Sequence, residues 1–320
     1  KWRKGGDFVK TTKKQKLIID TDPGVDDVAA LMLAFFEDQF DIKLLTTNSG
    51  NRPIEITTRN TLHLLEKYGL DIPVAQGAAK PLCRERLDAA HIHGLEGMGT
   101  YLPQEPKHLK CLEGSAEDNM FRVIKENPHE ITLCLLGPQT NAGLLFKKYP
   151  EATKLLKQII FMGGSPYGYK KTKPHISFNI SSDPEAVDIV LKSGVPIVMV
   201  PSELGRRMTH LNYEQVIDLS KINDSGRFML ELYKEYWEPG FEDQRVATND
   251  TCAFLYLIAP KIFKAKRGDI SVDVDEMPGK ITINFSRHGK SLILMNANGR
   301  KSYKLIKQSI KRLDRFKFYD

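Results

Sequence analysis

Four carboxylates, Asp20, Asp22, Asp26 and Asp27, fall within eight positions in the run Leu17-Ile18-Ile19-Asp20-Thr21-Asp22-Pro23-Gly24-Val25-Asp26-Asp27. The apolar residues before them read as a buried strand, and the acids open an amphipathic helix. Like charges this close raise one another's pKa, and a helix N-terminus offsets only part of that repulsion. A bound cation accounts for the crowding, and oxygen-only ligands select a hard ion, Ca²⁺ or Mg²⁺. Helix capping employs one such side chain, so capping alone leaves the others unexplained.

These acids need a scaffold, and the sequence outlines one. Short β-branched runs at 17–20, 42–46, 132–136, 158–162 and 196–200 alternate with helical patterns at 27–37, 53–68, 141–148 and 184–192. That rhythm predicts βαβ units, hence an α/β fold with an open, mostly parallel sheet flanked by helices. Pro53 at the start and Gly69 beyond the end punctuate the second helix. Residues 270–297 read as two or three strands with turns at Pro278-Gly279 and His288-Gly289, a small antiparallel section before a closing helix near 301–313. In open parallel sheets ligands bind beyond the carboxyl ends of the strands. Asn48 and Asn51, Leu136-Gly137-Pro138 and Met162-Gly163-Gly164 all occupy such positions. The stretch 77–106, rich in glycine, histidine and proline, reads as a functional loop or lid.

The chain has 320 residues, 41% of them apolar, enough for a full-sized catalytic core. Residues 16–320 read as one domain, and residues 1–15 as a basic tail, solvated or disordered. The longest uninterrupted apolar run, 28–36, is far short of the roughly 20 residues needed to cross a bilayer. No basic, apolar and small-residue order marks a secretory signal, so a cytoplasmic location is the default expectation. Cys83, Cys111, Cys134 and Cys252 have no metal-site or disulfide spacing and read as free thiols. The formal charge of +7 is concentrated near the two ends, without a basic stripe interleaved with aromatics, so no nucleic-acid partner is expected.

The run DTDPGVDD followed by VAALML resembles the signature of the inosine-uridine nucleoside hydrolase family. Ser49-Gly50-Asn51 with Thr57-Thr58-Arg59-Asn60, His93-Gly94 through Gly97, Gly137-Pro138-Gln139-Thr140-Asn141, Phe161-Met162-Gly163-Gly164, Phe178-Asn179 with Asp183-Pro184-Glu185-Ala186, and Asn249-Asp250 with Cys252-Ala253 resemble its later blocks in order. The resemblance implies a Rossmann-like sheet and hydrolysis of the N-glycosidic bond of ribonucleosides. It implies Ca²⁺ held by Asp22, Asp27, Asp250 and the backbone carbonyl of Leu136, a ligand set that suits a hard cation. Asp22 would act as base toward the attacking water. Asp26, Asn51 and Asn179 would hold the ribose hydroxyls, with Met162 beside them, and His93 would lie beside the nucleobase as a catalytic group. Tyr233, Tyr236 and Trp237 lie where the family has aromatics near the base, although their helical spacing equally suits a core. A small-molecule nucleoside or riboside is the expected partner, and a homodimer or homotetramer the expected assembly.

Three positions depart from the family. Asn249 stands where many members have a histidine that protonates the leaving base, and an amide cannot do so. Ser177 replaces a glutamate and Lys171 an asparagine on the part of the site that would hold the 5′ hydroxyl, which suggests a substrate with a 5′ phosphate or another anionic 5′ group. Two other readings compete: a non-catalytic riboside-binding relative, and a haloacid-dehalogenase-type phosphatase using Asp20-x-Asp22. Gly24 and the Asp26-Asp27 pair fit the phosphatase poorly.

Overall fold

The computed structural model describes residues 13–165, 176–237 and 244–313. Its strands in chain order are β1 (Gln15–Thr21), β2 (Phe40–Thr47), β3 (Val74–Gln76), β4 (Ile131–Leu135), β5 (Gln158–Met162), β6 (Ile197–Val200), β7 (Leu211–Asn212), β8 (Arg245–Val246), β9 (Phe263–Val272), β10 (Ile281–Phe285) and β11 (Ser291–Ala297). Nine of them form one sheet in the order β10-β9-β11-β6-β5-β4-β1-β2-β3, while β7 and β8 pair separately. Every neighbouring pair from β11 through β3 is parallel. β9 runs antiparallel to both β10 and β11, which is the antiparallel section expected near the C-terminus.

Leu17, Ile18 and Ile19 are wholly buried because β1 is covered on both faces. Leu17 and Ile19 pack with the helices Val25–Phe35, Asp224–Tyr233, Thr251–Ile258 and Gly299–Arg312. Ile18 points the other way, toward Ala116–Glu126, Thr140–Lys148 and Pro184–Lys192. This alternation along a fully apolar run is what a central parallel strand requires. Each such side chain contributes about 1.5–3 kcal/mol on burial.

Strand order reverses at β1, which lies between β2 and β4. The two neighbouring connections leave in opposite directions there, opening a crevice at the carboxyl ends. The first helix begins at Val25, two residues before the expected start, because the Asp27 carboxylate accepts the Gly24 N–H at 3.1 Å and closes the first turn early. β1 likewise starts at Gln15, inside the expected tail, and Lys13 and Lys16 each pair with Glu130 at 3.0 Å. Among the described residues no helix is long and apolar enough to cross a membrane, and the four cysteines are free.

The stretch 77–106 is largely irregular, with one helical turn at Ala90–His93. Arginines bolt it to the body. Arg52 grips both oxygens of Asp88 (2.6 and 2.8 Å) and the Leu95 carbonyl (2.9 Å), and Arg59 pairs with Glu96 at 2.7 Å. Arg84 joins Glu185 at 2.7 Å and the Val274 carbonyl at 2.6 Å.

Candidate active site

The crevice at the switch point is a cavity of about 390 Å³, lined by side chains from both halves of the sheet. Asp26 and Asp27 enter from the first helical turn after β1, Asn51 from the loop after β2, Leu136 from the end of β4 and Met162 from the end of β5. Ser177 and Asn179 come from the segment entering the short helix Phe178–Ser182, His93 from the lid, and Asn249 and Asp250 from the turn before Thr251–Ile258. Lys171 lies outside the described residues.

Among the described residues, one trio of acids brings carboxylate oxygens within 4.8 Å of one another: Asp26, Asp27 and Asp250. Asp22 lies directly beneath, 1% exposed, between Gly50 and Gly137, where a Cβ on either glycine would collide with its carboxylate. The Asn51 N–H donates to Asp22 Oδ2 at 2.7 Å, and the Asn51 amide donates to Asp27 Oδ2 at 3.0 Å. Thr21 Oγ1 donates to Asp27 Oδ1 at 2.7 Å. Asp22 Oδ1 and Asp250 Oδ1 are buried without a hydrogen-bond partner. The Leu136 carbonyl accepts from the Asn179 amide, which also reaches the Met162 carbonyl at 3.3 Å.

Burial pushes all of these acids up, Asp27 to about 6, Asp26 above its ordinary value, and Asp22 and Asp250 well above the usual carboxylate range, and neighbouring carboxylates add to the rise at Asp22, Asp27 and Asp250. Four acids disfavoured as anions, two with orphaned buried oxygens, fit a hard divalent cation, which would satisfy the oxygens and reverse the shifts together.

Asp20 belongs elsewhere. It is wholly buried, and its carboxylate accepts from Thr46 Oγ1 (2.5 Å), Asn141 Nδ2 (2.7 Å) and Asn48 Nδ2 (3.0 Å). Its function is to tie together the ends of β1, β2 and β4. That removes it from the acidic crevice suggested by its spacing, and it also leaves no reachable nucleophile for a phosphatase of the Asp20-x-Asp22 type.

His93 is 5% exposed, and its Nδ1 accepts the Val25 N–H at 3.1 Å, which puts the ring proton on Nε2. Burial lowers its pKa to about 4, so the ring is neutral near pH 7. Its ring lies 5.3 Å from that of Tyr236, whose hydroxyl bonds Asp26. Tyr233 is core, and Trp237 packs against Tyr213 at 5.7 Å, so of the three aromatics singled out in the sequence Tyr236 alone lines the cavity. The Asn249 amide donates to Asp26 Oδ2 at 3.3 Å. The sequence reading overlooked Ile92, Ser202 and Arg206, which also line the cavity. Ser202 and Arg206 follow β6, and the rule applied beyond the other strands would have found them.

A larger cavity of about 660 Å³ lies against His63, Glu66, Lys67 and Tyr101. Glu66 there is committed to the backbone N–H groups of Lys107, His108 and Leu109 (2.9, 2.5 and 2.7 Å), and no trio of acids converges.

The hold of Arg52 on the lid yields an expectation. Arg52→Met should lower kcat/KM by about 10–100-fold through misplacement of His93, and Arg52→Lys should restore little, since an ammonium cannot clasp both Asp88 oxygens in the same fork. The loss should disappear in a His93→Ala background. Additive losses in the double variant would separate Arg52 from His93.

A doubly wound sheet with buried acids and a partly polar cavity at its switch point places this site where open α/β sheets bind small ligands. The sequence profile of the inosine-uridine preferring nucleoside hydrolases matches residues 17–320, and the chain belongs to that family. It is 37% identical over 262 residues to the non-specific ribonucleoside hydrolase RihC of Salmonella paratyphi A, covering 82% of this chain and 85% of that protein. Among solved structures, a plant nucleoside hydrolase, PpNRh1, superposes with a TM-score of 0.87 at 27% identity, over 93% of this chain and 99% of the other. The purine-preferring ribonucleoside hydrolase of Gardnerella vaginalis shares the fold at a TM-score of 0.86 and 23% identity, over 93% and 98% of the two chains.

Proposed function

We propose that this chain is a Ca²⁺-dependent N-ribohydrolase that converts a ribonucleoside and water to ribose and the free base. The observation that carries the ion is the pair of orphaned buried oxygens, Asp22 Oδ1 and Asp250 Oδ1, beside Asp26 and Asp27. Asp22, Asp27, Asp250 and the Leu136 carbonyl would hold it. When bound, the ion supplies Lewis-acid charge to the sugar diol and to the attacking water. Asp22 accepts a proton from that water as its oxygen bonds to C1′. The C1′–N bond breaks heterolytically and its electron pair leaves with the base. Asp26, Asn51 and Asn179 hold the ribose hydroxyls and so fix the reacting carbon as positive charge develops on the sugar. His93, neutral and with its proton on Nε2, serves as a hydrogen-bond donor beside the base and not as a cationic acid.

A 5′-anionic riboside is the second reading, favoured by Ser177. Its Oγ accepts the Gly164 N–H at 2.7 Å, which leaves the hydroxyl proton free to meet an anionic oxygen in the cavity. A single assay tests both readings: free ribose and 5-phosphoribose are measured from nucleosides and their 5′-monophosphates, with and without chelator. Chelation should remove turnover, and Ser177→Ala should cost a 5′-monophosphate more than its parent nucleoside, by about 10-fold. Undiminished turnover after exhaustive chelation rules out the ion. Equal losses on the two substrates rule out the phosphate. Binding of ribosides without release of ribose would identify a non-catalytic relative.

A further inference from the structure

The antiparallel section near the C-terminus reaches the crevice through the turn that joins β9 to β10. That turn is closed by its own hydrogen bonds. The Asp273 carboxylate accepts the Asp275 and Glu276 N–H groups at 2.9 and 3.1 Å, and the Asp273 carbonyl accepts the Gly279 N–H at 2.8 Å. Arg84 ties the turn to the body, donating to the Val274 carbonyl at 2.6 Å and to Glu185 at 2.7 Å. Gly279 is buried, with φ +88°, in the left-handed region that glycine adopts without steric cost. A Cβ there would come within 2.8 Å of Ser181 Cα, 2.9 Å of Ile176 Cγ2 and 3.0 Å of the Ser181 nitrogen. Ile176 and Ser181 both line the crevice, on either side of Asn179 in the chain. β10 also meets the end of β5, where a Cβ on Gly164 would lie 3.2 Å from Ile281 Cγ1.

The helix Phe178–Ser182 that carries Asn179 has five residues, too few to hold a helical turn unaided. Its place is imposed by two neighbours. The ends of β4 and β5 receive the Asn179 amide on the Leu136 and Met162 carbonyls, and a Cβ on Gly163 would press on Ile180 at 3.1 Å. The second neighbour is the β9–β10 turn at Gly279. We infer that this turn belongs to the active site as a positioning element: Gly279, by having no side chain, lets it seat residues 176–182 so that Asn179 meets the ribose. The inference rests on the ribohydrolase reading above. Gly279 touches no substrate and acts through Asn179. A methyl group at this position must displace the Ser181 main chain, and a misplacement of about 1 Å at a substrate-holding group costs on the order of a hundredfold in rate.

The test compares wild type, Gly279→Ala, Gly194→Ala, Asn179→Ala and the Gly279→Ala/Asn179→Ala double variant on inosine. Bound Ca²⁺, Tm and affinity for free ribose are measured for each protein. Gly194 is the matched control: its φ is +79°, so alanine pays the same backbone strain, but a Cβ there would meet no atom within 4 Å among the described residues. Gly279→Ala should lower kcat/KM by about 10–100-fold and weaken ribose binding while Ca²⁺ still binds, and Gly194→Ala should keep wild-type values of both. The loss should vanish in the Asn179→Ala background, as it must for residues acting as one unit. Arg84→Met, which loosens the turn and adds nothing at Gly279, should show a smaller loss that likewise needs Asn179. It decides the matter if Gly279→Ala does not fold, and wild-type activity in it would then overturn the inference. Equal ribose affinity in wild type and Gly279→Ala, a loss matched by Gly194→Ala, or additive losses in the double variant would each overturn it too. If wild type releases no ribose, the ribohydrolase reading fails, while a ribose affinity lost in Gly279→Ala and kept in Gly194→Ala still supports the positioning role.

Discussion

Asp250→Asn is expected to lower turnover by at least about a thousandfold, in line with losing a charge-stabilising group from a dry site, and to abolish specific binding of the divalent ion. Asp27→Ala should do the same, but it also strips an acceptor from Thr21, Gly24 and Asn51, so its fold is at greater risk. Asp250→Asn is the cleaner variant, because Asp250 Oδ1 has no hydrogen-bond partner to lose. Four crowded acids repel one another in the ion-free protein, so removing one should leave the ion-free Tm unchanged or higher. Wild type should gain about 2.7 kcal/mol when the ion is present at a hundred times its Kd, and the variant should gain nothing. The pH dependence has a definite sign. Asp22, Asp26, Asp27 and Asp250 all have raised pKa values in the ion-free protein, Asp27 to about 6, so at low pH protons compete with the ion. Binding therefore releases protons, and affinity should weaken as pH falls through about 6. Calorimetry at pH 5 and pH 8 checks this. Equal affinities at the two pH values, or an Asp250→Asn protein that still gains stability from Ca²⁺, would show that the ion sits elsewhere.

Asp20→Ala should destabilise the protein by about 2–5 kcal/mol, since each buried donor left without its acceptor costs about 1–3 kcal/mol. Thr46 and Asn48 would lose the acceptor they use here, and Asn141 Nδ2 would keep its bond to the Thr47 carbonyl at 2.9 Å while Asn141 Oδ1 still accepts the Ala78 N–H. Because those residues follow or end β2 and β4, the damage spreads to the loop that carries Asn51. Asp20→Asn should lie between, since its own amide donors would face those of Asn48 and Asn141. Chemical denaturation at saturating Ca²⁺ reads the effect. An Asp20→Ala protein of wild-type stability that has lost turnover would return Asp20 to the catalytic acids.

Asp20 also shows where pattern reading stops. Spacing places four aspartates together, but the two faces of a strand and the first turn of a helix divide them. Asp20, still within β1, joins a hydrogen-bonded bracket, while Asp26 and Asp27, beyond the strand, line the crevice with Asp22 buried next to them. The helix Thr251–Ile258 was illegible for a related reason. Its residues are almost all apolar and buried, so they carry no amphipathic period, and a short apolar run cannot be told from a strand by periodicity. Asp224–Tyr233, by contrast, buries one stripe, and its aromatic Tyr233 belongs to the core while Tyr236, three residues on, reaches the site.

The sequence by itself determined the alternation of strands and helices, the parallel sheet with its antiparallel appendix, and most of the side chains that now line the crevice. These follow from local periodicity, punctuation by proline and glycine, and motifs short enough to be read in a single window. Only the tertiary structure decided which carboxylates converge, that the Val25 N–H fixes the His93 tautomer, and that Gly279 abuts Ser181. The physical reason is range: these contacts join segments tens to hundreds of residues apart, and their geometry depends on the order in which the strands pack, with β1 set between β2 and β4. A local pattern carries the propensity of a segment, but the electrostatic environment of a side chain is the sum over neighbours that only the closed sheet brings within a few ångströms.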